Sequence, residues 1–489
     1  MNRSVQDFAK YEGSPVLEFQ GNPLIEALPP ILCETDAASL ISHFPPVVDE
    51  ERQLDKSVRL HCIDRLRSVV QPLPIHLELE SAFSSLIRSG YVGRNPMSTT
   101  TVRHLHSLST SRGGSDGFRS TATTFSLVGL SGIGKSTALE SILRLYPQTI
   151  LHQRYDGRSF VQTQITWLKL DCPFDGSLSG LCRAFFRAVD QAIGQDRYAN
   201  SYRARNGLPD LIQRMEQVAS TYFVGALLID EIQHLRSART GGKDNMLNFF
   251  VNLINSIGIP VVFIGTNSMI SLFSDVLRNA RRGCGLGVIE FQRFEKDDPA
   301  WKMLVESLWA YQWCREVSPL TDELFEVLYD LTQGVTDFLV KLLILGQRLA
   351  IQRREECLTA STFRRVSDTK MQILKPALSA LRSRDPRQLS RFEDLLPIDD
   401  QLQGMMTLDA NEVMDRLALL RSITPVPRLD TPSETVLNTP KTKPAAVDSS
   451  RSSTKSAEIA QDEDPLQKLK EEGWLNTDVF EFCPQYRKV

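Results

Sequence analysis

The chain has 489 residues, of which 42% are hydrophobic and 24% charged. This composition excludes a protein that is disordered, collagen-like or coiled-coil over its whole length. At about 150 residues per domain, the length predicts roughly three domain-sized units. The sequence lacks an apolar run of about 18 residues and an apolar signal core, so we expect neither a membrane span nor export. None of the eight cysteines forms a Cys-x-x-Cys pair, which favours a reducing cytoplasm over a zinc ribbon or a disulfide framework.

The net charge of −3 conceals an uneven distribution of charge along the chain. Residues 1–60 carry 5 basic and 10 acidic side chains, and residues 456–489 carry 4 basic and 8 acidic side chains. The body between them, 61–455, therefore has a net charge of +6, and its segment 344–391 alone holds 11 basic and 4 acidic side chains. The total argues against an obvious nucleic-acid binder, but a basic body between two acidic ends leaves that function open.

The first hundred residues predict an arm followed by a helical lead-in. Six prolines interrupt residues 1–60, which indicates an extended arm with at most one short helix. Apolar residues at helical spacing predict helices over 57–70 and 76–90. The segment 99–124 is rich in Ser, Thr and Gly, and we interpret it as a loop or insertion.

From residue 125 onward, apolar runs alternate with helical segments, which predicts an α/β fold with a parallel sheet. The apolar runs have the composition of buried strands and are 125–130, 163–171, 223–230 and 260–266. The helical segments are 137–146, 181–193, 208–221 and 244–257. Residues 297–421 have a helical pattern throughout.

The C-terminal end combines a polar segment with an aromatic tail. Residues 422–464 contain five prolines, many Ser and Thr and no aromatic residue, so we expect a disordered linker. Aromatic residues return in the segment 465–489. The tail is predicted to dock on a protein partner; the alternative is that it packs back on its own chain.

The motif GLSGIGKS (129–136) fits the phosphate-loop pattern GxxxxGK[ST], and it follows a predicted strand and precedes a predicted helix. Glycines allow the backbone N–H groups to turn around phosphate oxygens, and the helix N-terminus adds a positive dipole. Lys135 would bind the β- and γ-phosphates of ATP, and the Ser136 hydroxyl would bind Mg²⁺. A chance Gly-rich turn is the alternative. The predicted nucleotide contacts are Gly129, Ser131, Gly132, Ile133, Gly134, Lys135, Ser136, Thr137 and Asp230.

Two further strand ends carry polar residues suited to phosphoryl transfer. In ALLIDE (226–231), Asp230 would hold Mg²⁺ and Glu231 would polarise the attacking water; two acids that merely cap a helix are the alternative. In IGTNS (264–268), Thr266 or Asn267 would contact that water or the γ-phosphate, although Thr and Asn often end strands without any such role.

Basic residues after these strands are candidates for transition-state stabilisation. The cluster RNARR (278–282) would supply an arginine from a neighbouring subunit, with Arg281 or Arg282 favoured over Arg278, because a planar guanidinium holds phosphate oxygens bidentately. A solvated helix end is the alternative. Lys341, in LTQGVTDFLVKL (331–342), would reach the phosphates from a helical lid, or would be an ordinary surface lysine.

The order of these motifs resembles that of AAA+ ATPases, and more narrowly the chain is similar to the TnsC/TniB family of AAA+ transposition regulators, of the larger, TnsC-like type. The stretches that carry the resemblance span roughly residues 15–345 and are NPLIEALPPI (22–31), GYVGRNP (90–96), LLIDEIQHL (227–235), MLNFFVNLIN (246–255) and LTQGVTDFLVKL. Two features depart from the family pattern: the long stretch 99–124, and Lys341 where AAA+ lids commonly have Arg.

The resemblance implies a bacterial cytoplasmic protein that uses ATP and Mg²⁺ and self-associates into a ring or helical filament on double-stranded DNA. It would link a target-selection protein, met by the N-terminal arm or core, to transposase subunits, met by the C-terminal tail, and ATP hydrolysis would drive disassembly. The implied parts are the arm 1–60, the ATPase core with its lead-in 61–296, the helical lid and extension 297–421, the linker 422–464 and the docking tail 465–489.

DNA binding by such an assembly needs a few phosphate contacts repeated in every subunit rather than base recognition. The candidates are Arg154, Arg158, Arg197, Arg203, Arg205, Arg236, Arg239 and Lys243. For each one singly, a solvated surface residue is the alternative. The competing functions are a signalling NTPase that oligomerises with nucleotide without binding DNA, and a general AAA+ remodeller or loader.

Overall fold

The computed structural model describes residues 6–109, 118–200, 207–237, 249–269, 287–383 and 410–423. Its centre is a five-stranded parallel sheet with the strand order β5-β6-β7-β2-β8. The strands are β2 (Thr124–Gly129), β5 (Trp167–Asp171), β6 (Ala226–Asp230), β7 (Val261–Gly265) and β8 (Val288–Phe291). Every residue of β6 and β7 is buried, as their unbroken apolar runs predict.

The register of the sheet brings the carboxyl ends of its strands to one edge. Asp171 at the end of β5 is paired with Asp230 at the end of β6. Val128 in β2 is paired with Gly265, the last residue of β7. Because the strands are parallel, the loops that follow β2, β6 and β7 leave the sheet side by side, and crevices at such an edge are where open α/β sheets bind ligands.

A second, three-stranded sheet has the order β1-β3-β4, where β1 is Gln6–Phe8, β3 is Thr149–Tyr155 and β4 is Arg158–Ile165. The hairpin of β3 and β4 turns at Asp156 and Gly157, whose φ angles are +47° and +73°. Positive φ at both turn residues is typical of a tight two-residue hairpin, and Asp-Gly is a preferred sequence for it. The apolar run 163–171, expected to be one strand, is divided between β4 and β5.

The helices surround the two sheets and extend beyond them at the C-terminal end. Before the central sheet they are α1 (Pro23–Glu26), α2 (Glu34–Ile41), α3 (Lys56–Cys62), α4 (Pro74–Val92) and α5 (Thr99–Ser109). The helices that lie along the chain between β2 and β6 of this sheet are α6 (Lys135–Leu143), α7 (Leu178–Ile193) and α8 (Leu208–Thr221). The lid and its extension comprise α9 (Pro299–Trp309), α10 (Asp322–Thr332), α11 (Thr336–Arg353), α12 (Ala360–Thr369), α13 (Lys375–Ser383) and α14 (Ala410–Ile423).

The N-terminal arm contains more regular structure than its prolines predict, because its apolar residues are buried against the rest of the chain. Leu24 and Ile41 belong to the same hydrophobic cluster as Phe83 of α4 and Trp301 and Leu342 of the lid. A second cluster lies around β5, β6 and β7 and includes side chains of α7 and α8. The arm therefore contributes to the core that joins α4 to the lid.

Ion pairs fasten the arm and lead-in to the lid. Arg59 of α3, whose side chain is 2% exposed, donates to both carboxylate oxygens of Glu356 at 2.7 and 2.8 Å and to the Trp313 carbonyl at 3.0 Å. Arg348 of α11 donates to both oxygens of Asp64 at 2.9 Å. The hydrogen bond from Arg59 lowers the pKa of the Glu356 carboxyl. We refer to the Arg59–Glu356 pair below as the arm–lid clasp.

Two of the segments that carry the family resemblance contact each other. Asn22 donates from Nδ2 to the Tyr91 carbonyl at 2.8 Å, and Asn95 donates to the Gly21 carbonyl at 3.1 Å. Arg94 is fully buried and donates to the Val224 carbonyl at 2.7 Å, two residues before β6. Burial lowers the pKa of Arg94 to about 10. These motif residues therefore hold the arm and α4 against the strand that carries the acid pair.

The structure differs from one sequence prediction and does not describe the region of another. Residues 99–109, expected to be part of a loop, form helix α5; His104 of this helix is buried and stacks on Phe118 with ring centroids 3.9 Å apart. The predicted linker 422–464 and tail 465–489 lie outside the described residues, apart from the last two residues of α14. Within the described ranges, no helix combines the length and apolar composition that a membrane span requires.

Candidate nucleotide site

The phosphate loop runs from the end of β2 into the first turn of α6. Gly132 and Gly134 have φ angles of +78° and +105°, in the region that residues with a Cβ rarely adopt. Gly134 is the N-cap of α6, and Lys135 and Ser136 are its first two residues. The first N–H groups of a helix have no acceptor within the helix, so this turn presents donors and a positive dipole to an anion. The predicted strand–loop–helix arrangement is therefore present.

Lys135 is held inside the loop rather than in solvent. Its ammonium group donates to the carbonyls of Gly129 and Leu130 at 2.7 and 2.8 Å, and the residue is 9% exposed. Gly129 has no room for a side chain, because a Cβ there would lie 2.4 Å from the Phe291 carbonyl oxygen of β8. The loop is thus packed against the edge of the sheet, with its lysine at the centre.

The lid contacts the phosphate loop directly. The backbone N–H of Asp337, in the first turn of α11, donates to the Gly132 carbonyl at 2.9 Å. Lys341 forms an ion pair with the Asp337 carboxylate at 2.5 Å and does not line the nucleotide cavity. Lys341 therefore contacts Asp337, and Asp337 in turn contacts the phosphate loop.

The acid pair stands at the end of β6, as the sequence predicts. Asp230 is buried; its Oδ1 accepts from the Glu231 N–H at 2.9 Å and its Oδ2 is 3.2 Å from the Lys169 ammonium group. Lys169 also lies 3.4 Å from Glu140 of α6. Burial opposes the charge of Lys169, but Asp230 and Glu140 together raise its pKa. Sequence reasoning missed Lys169, because its partners are 29 and 61 residues away in the chain.

Ser136 and Asp230 suit Mg²⁺ in their chemistry. Magnesium prefers oxygen ligands and is usually held by one or two protein groups together with phosphate oxygens and water. Both residues line the same cavity as the phosphate loop. Among the described residues, no group of three or more His, Cys, Asp or Glu side chains is arranged to hold a metal.

Thr266 and Asn267 follow β7 and differ in their surroundings. Thr266 lines the cavity, and its hydroxyl lies 2.9 Å from that of Ser268. Asn267 does not line the cavity, and its Oδ1 is buried with no hydrogen-bond partner among the described residues. Of the two candidates, Thr266 is the one whose position suits contact with a γ-phosphate or an attacking water.

These elements enclose one cavity of about 730 Å³, a volume within the usual range of ligand sites. Its lining includes the phosphate loop, the acid pair and Thr266, and also the apolar residues Val69, Val70, Leu73, Ile75, Phe291 and Leu304. These apolar residues are available to contact the base of a nucleotide whose phosphates lie in the loop.

Sequence reasoning missed several polar side chains that line this cavity, among them His76, Glu290 and Arg293. His76 accepts from the Leu73 N–H at 3.1 Å, and burial lowers its pKa to about 4, so the imidazole is neutral at pH 7. Burial raises the pKa of Glu290. Arg293, 16% exposed, donates to the Gln333 carbonyl at 3.4 Å. No motif marks these residues; they reach the site because the lead-in and β8 form its walls.

The remaining predicted site residues divide between exposed and undescribed positions. Arg154, Arg158 and Arg197 are exposed. The arginine-finger candidates Arg278, Arg281 and Arg282 lie outside the described residues, as do Arg203, Arg205, Arg239, Lys243 and the side chain of Arg236. In the described part of the basic segment 344–391, most cations form ion pairs with acids; Arg382 with Asp330 at 3.0 Å is one of these. That pairing favours a structural role for the segment.

Comparison with known proteins gives one family match. Residues 119–273 match the family model of an AAA domain, a range that contains the phosphate loop, the acid pair and Thr266. A search of curated proteins finds no match.

Solved structures similar to this chain include three at low sequence identity. The Walker-type ATPase of Pyrococcus abyssi is 15% identical, with 61% of this chain and 84% of that chain covered and a TM-score of 0.33. Cdc6p of Pyrobaculum aerophilum is 13% identical, with 67% and 94% covered and a TM-score of 0.37. Drosophila ORC bound to DNA is 13% identical, with 78% and 86% covered and a TM-score of 0.37.

Proposed function

We propose that this chain, which has the AAA+ P-loop NTPase fold, is a Mg²⁺-dependent ATPase that assembles on double-stranded DNA and links a target-selection factor to a transposase. The observation that carries the nucleotide part is the convergence of the phosphate loop, Asp230, Glu231 and Thr266 on one cavity of about 730 Å³. The phosphate loop follows β2, the acid pair stands at the end of β6 and Thr266 follows β7, so the common edge of the parallel sheet is what assembles them.

The chemistry of the site follows from these positions. The N-terminal turn of α6 and Lys135 bind the phosphates, and Ser136 and Asp230 hold Mg²⁺, which neutralises phosphate charge when bound. Glu231 orients the attacking water, and Thr266 contacts that water or the γ-phosphate. An arginine from 278–282 of a neighbouring subunit completes the site, so hydrolysis depends on assembly.

Exposed arginines support the DNA-binding part. Arg154 pairs in register with Ser159, and Tyr155 pairs with Arg158, at the end of the β3–β4 hairpin. Because directly opposed residues share a face, the two arginines project from opposite faces. Arg197 lies on a loop fixed by buried Asp190, which accepts from the N–H groups of Tyr198 and Ala199. Such contacts, repeated in successive subunits, add up to DNA affinity that depends on assembly.

The transposition part rests on the resemblance to the TnsC/TniB family. The hydrogen bond from Asn22 to the Tyr91 carbonyl joins two of its segments, 22–31 and 90–96, and Asn95 donates to Gly21, the residue just before the first segment. Arg94 binds the second segment to the residues just before the strand that carries the acid pair. The resemblance thus covers a packed unit rather than scattered matches, which supports a shared architecture. The arm would then meet the target selector and the tail 465–489 the transposase.

A duplex-binding titration tests the proposal. We expect fluorescence anisotropy of a labelled duplex to report binding with a slowly hydrolysed ATP analogue, and none without nucleotide or with Lys135→Ala. The affinity of the wild-type protein should fall steeply with salt. Because Arg154 and Arg158 face opposite ways, only one of the single variants Arg154→Ala and Arg158→Ala should reduce the salt slope, by about 1. Oligomers that form with nucleotide but do not bind the duplex would favour a signalling NTPase instead.

A further inference from the structure

Gln233 lies between the two strand ends that carry the predicted catalytic residues. It is the second residue after Glu231, in the short helix Ile232–Ser237 that follows β6. Its Nε2 donates to Glu231 Oε2, and its Oε1 accepts from the backbone N–H of Thr266 at 3.3 Å. One side chain therefore connects the end of β6 to the end of β7.

The orientation of this amide is fixed by its two partners. A carboxylate only accepts hydrogen bonds and a backbone N–H only donates, so the reversed amide would face two like groups. The amide also packs against the backbone of β7 at Gly265, where a Cβ would lie 2.6 Å from Gln233 Oε1. The absence of a side chain at Gly265 therefore allows Gln233 to take this position.

Glu231 has few other restraints on its side chain. Its backbone has a φ of +55°, which is uncommon for a residue with a Cβ. The backbone is held by the Glu231 N–H to Asp230 Oδ1 at 2.9 Å and by the His234 N–H to the Glu231 carbonyl at 3.0 Å. These bonds restrain the backbone of Glu231 but not its carboxylate. Among the described residues, Gln233 donates the hydrogen bond that holds the carboxylate.

We propose that Gln233 is the positioning residue of the catalytic carboxylate: its amide holds Glu231 Oε2 and leaves Oε1 to orient the attacking water. Through Thr266 the amide also fixes the distance between the carboxylate and the residue that contacts the γ-phosphate. This role rests on the proposed ATP hydrolysis. Since Gln233 does not line the nucleotide cavity, it should govern kcat and leave ATP binding unchanged.

Two variants separate positioning from structural support. Gln233→Met keeps the length of the side chain and removes both hydrogen bonds. Gln233→Glu keeps the acceptor for the Thr266 N–H, but replaces the donor with an oxygen that repels Glu231. Gln191→Met, on an exposed position of α7, is the matched control for a Gln-to-Met change.

The experiment compares steady-state ATPase rates with binding of a fluorescent ATP analogue in the full chain. We expect kcat to fall roughly 10- to 100-fold in Gln233→Met and further in Gln233→Glu, because small misplacements of catalytic groups have effects of that size. The Kd should stay within about twofold, since neither variant alters a nucleotide contact. Wild-type kcat in Gln233→Met, or recovery of kcat in Gln233→Glu, would overturn the assignment, as would a loss of ATP binding equal to the loss of rate. An inactive wild-type protein would overturn the proposed function itself, and this inference with it.

Discussion

The phosphate loop offers a test in which two of its glycines, separated by Ile133, distinguish two physical effects. Gly132 and Gly134 both have positive φ, so a Cβ at either position strains the backbone. A Cβ on Gly134 meets nothing within 4 Å, whereas a Cβ on Gly132 lies 3.1 Å from Asp337 Cβ and 3.4 Å from its Oδ2. Gly134→Ala therefore tests strain alone, and Gly132→Ala tests strain together with the contact between the loop and the lid.

The magnitude follows from the cost of left-handed backbone. That cost is about 1–2 kcal/mol for a residue with a Cβ, and about 1.4 kcal/mol corresponds to a factor of ten in affinity. The loop relieves the strain only by leaving its phosphate-binding conformation, so the cost appears as weaker ATP binding. We expect Gly134→Ala to weaken binding about tenfold. Gly132→Ala should weaken it further, because Asp337 must also move and its N–H loses the Gly132 carbonyl.

Titration of a fluorescent ATP analogue measures both effects. Gly13→Ala is the control, because Gly13 has no positive φ and a Cβ there meets nothing within 4 Å. Equal affinity in the wild-type protein and Gly132→Ala would refute the reasoning, since neither the strain nor the lid contact would then matter. Equal losses of ATP affinity in Gly132→Ala and Gly134→Ala would refute only the role assigned to Asp337, and not the role of backbone strain.

Three further predictions concern hydrolysis, the arm–lid clasp and the tail. Glu231→Gln should bind ATP within about twofold of wild type, lose at least about 100-fold in kcat and stabilise DNA-bound assemblies; normal turnover would contradict its role. Arg59→Met should lower the free energy of unfolding by about 3 kcal/mol, because it leaves the half-buried Glu356 unpaired, and the melting temperature by roughly 3 °C. The pKa of Glu356 is lowered in the folded protein, so the clasp stabilises the fold at neutral pH and its contribution is lost as the pH falls through that pKa. The difference in melting temperature between the wild-type protein and Arg59→Met should therefore narrow as the pH falls below the ordinary glutamate pKa of 4.5. Deleting residues 465–489 should preserve ATPase activity and abolish transposase pull-down; unchanged pull-down would refute the docking tail.

Local sequence patterns were sufficient to predict the centre of the fold. The phosphate loop, the apolar strands that became β2, β6 and β7, and the helices near α7 and α8 each depend on residues adjacent in the chain. The positions of Lys135, Asp230 and Glu231 at one edge followed, because parallel strands end on the same side.

The elements that the sequence did not reveal depend on polar or distant partners. The β3–β4 hairpin has a mixed polar pattern and the exposed residue Val161, so only its Asp156–Gly157 turn marks it. Strand β8 has four residues and becomes a strand by pairing with β2. Helix α5 has a Ser- and Thr-rich sequence typical of loops, but its packing overrides that preference.

The site residues that the sequence did not predict also depend on polar or distant partners. Lys169, His76 and Gln233 carry no motif of their own, and each gains a role from a neighbour that the fold supplies. The contact between Asp337 and Gly132 joins residues 205 positions apart. Periodicity predicts which face of an element is buried, but it does not predict which polar groups then meet.

Electron microscopy of the full chain with duplex DNA and a non-hydrolysable ATP analogue tests the central claim most directly. The account predicts rings or helical filaments that enclose the duplex, present with the analogue and absent with Lys135→Ala. Assemblies that form with nucleotide but exclude the duplex would contradict DNA-dependent function, and DNA-bound assemblies of Lys135→Ala would contradict control by ATP.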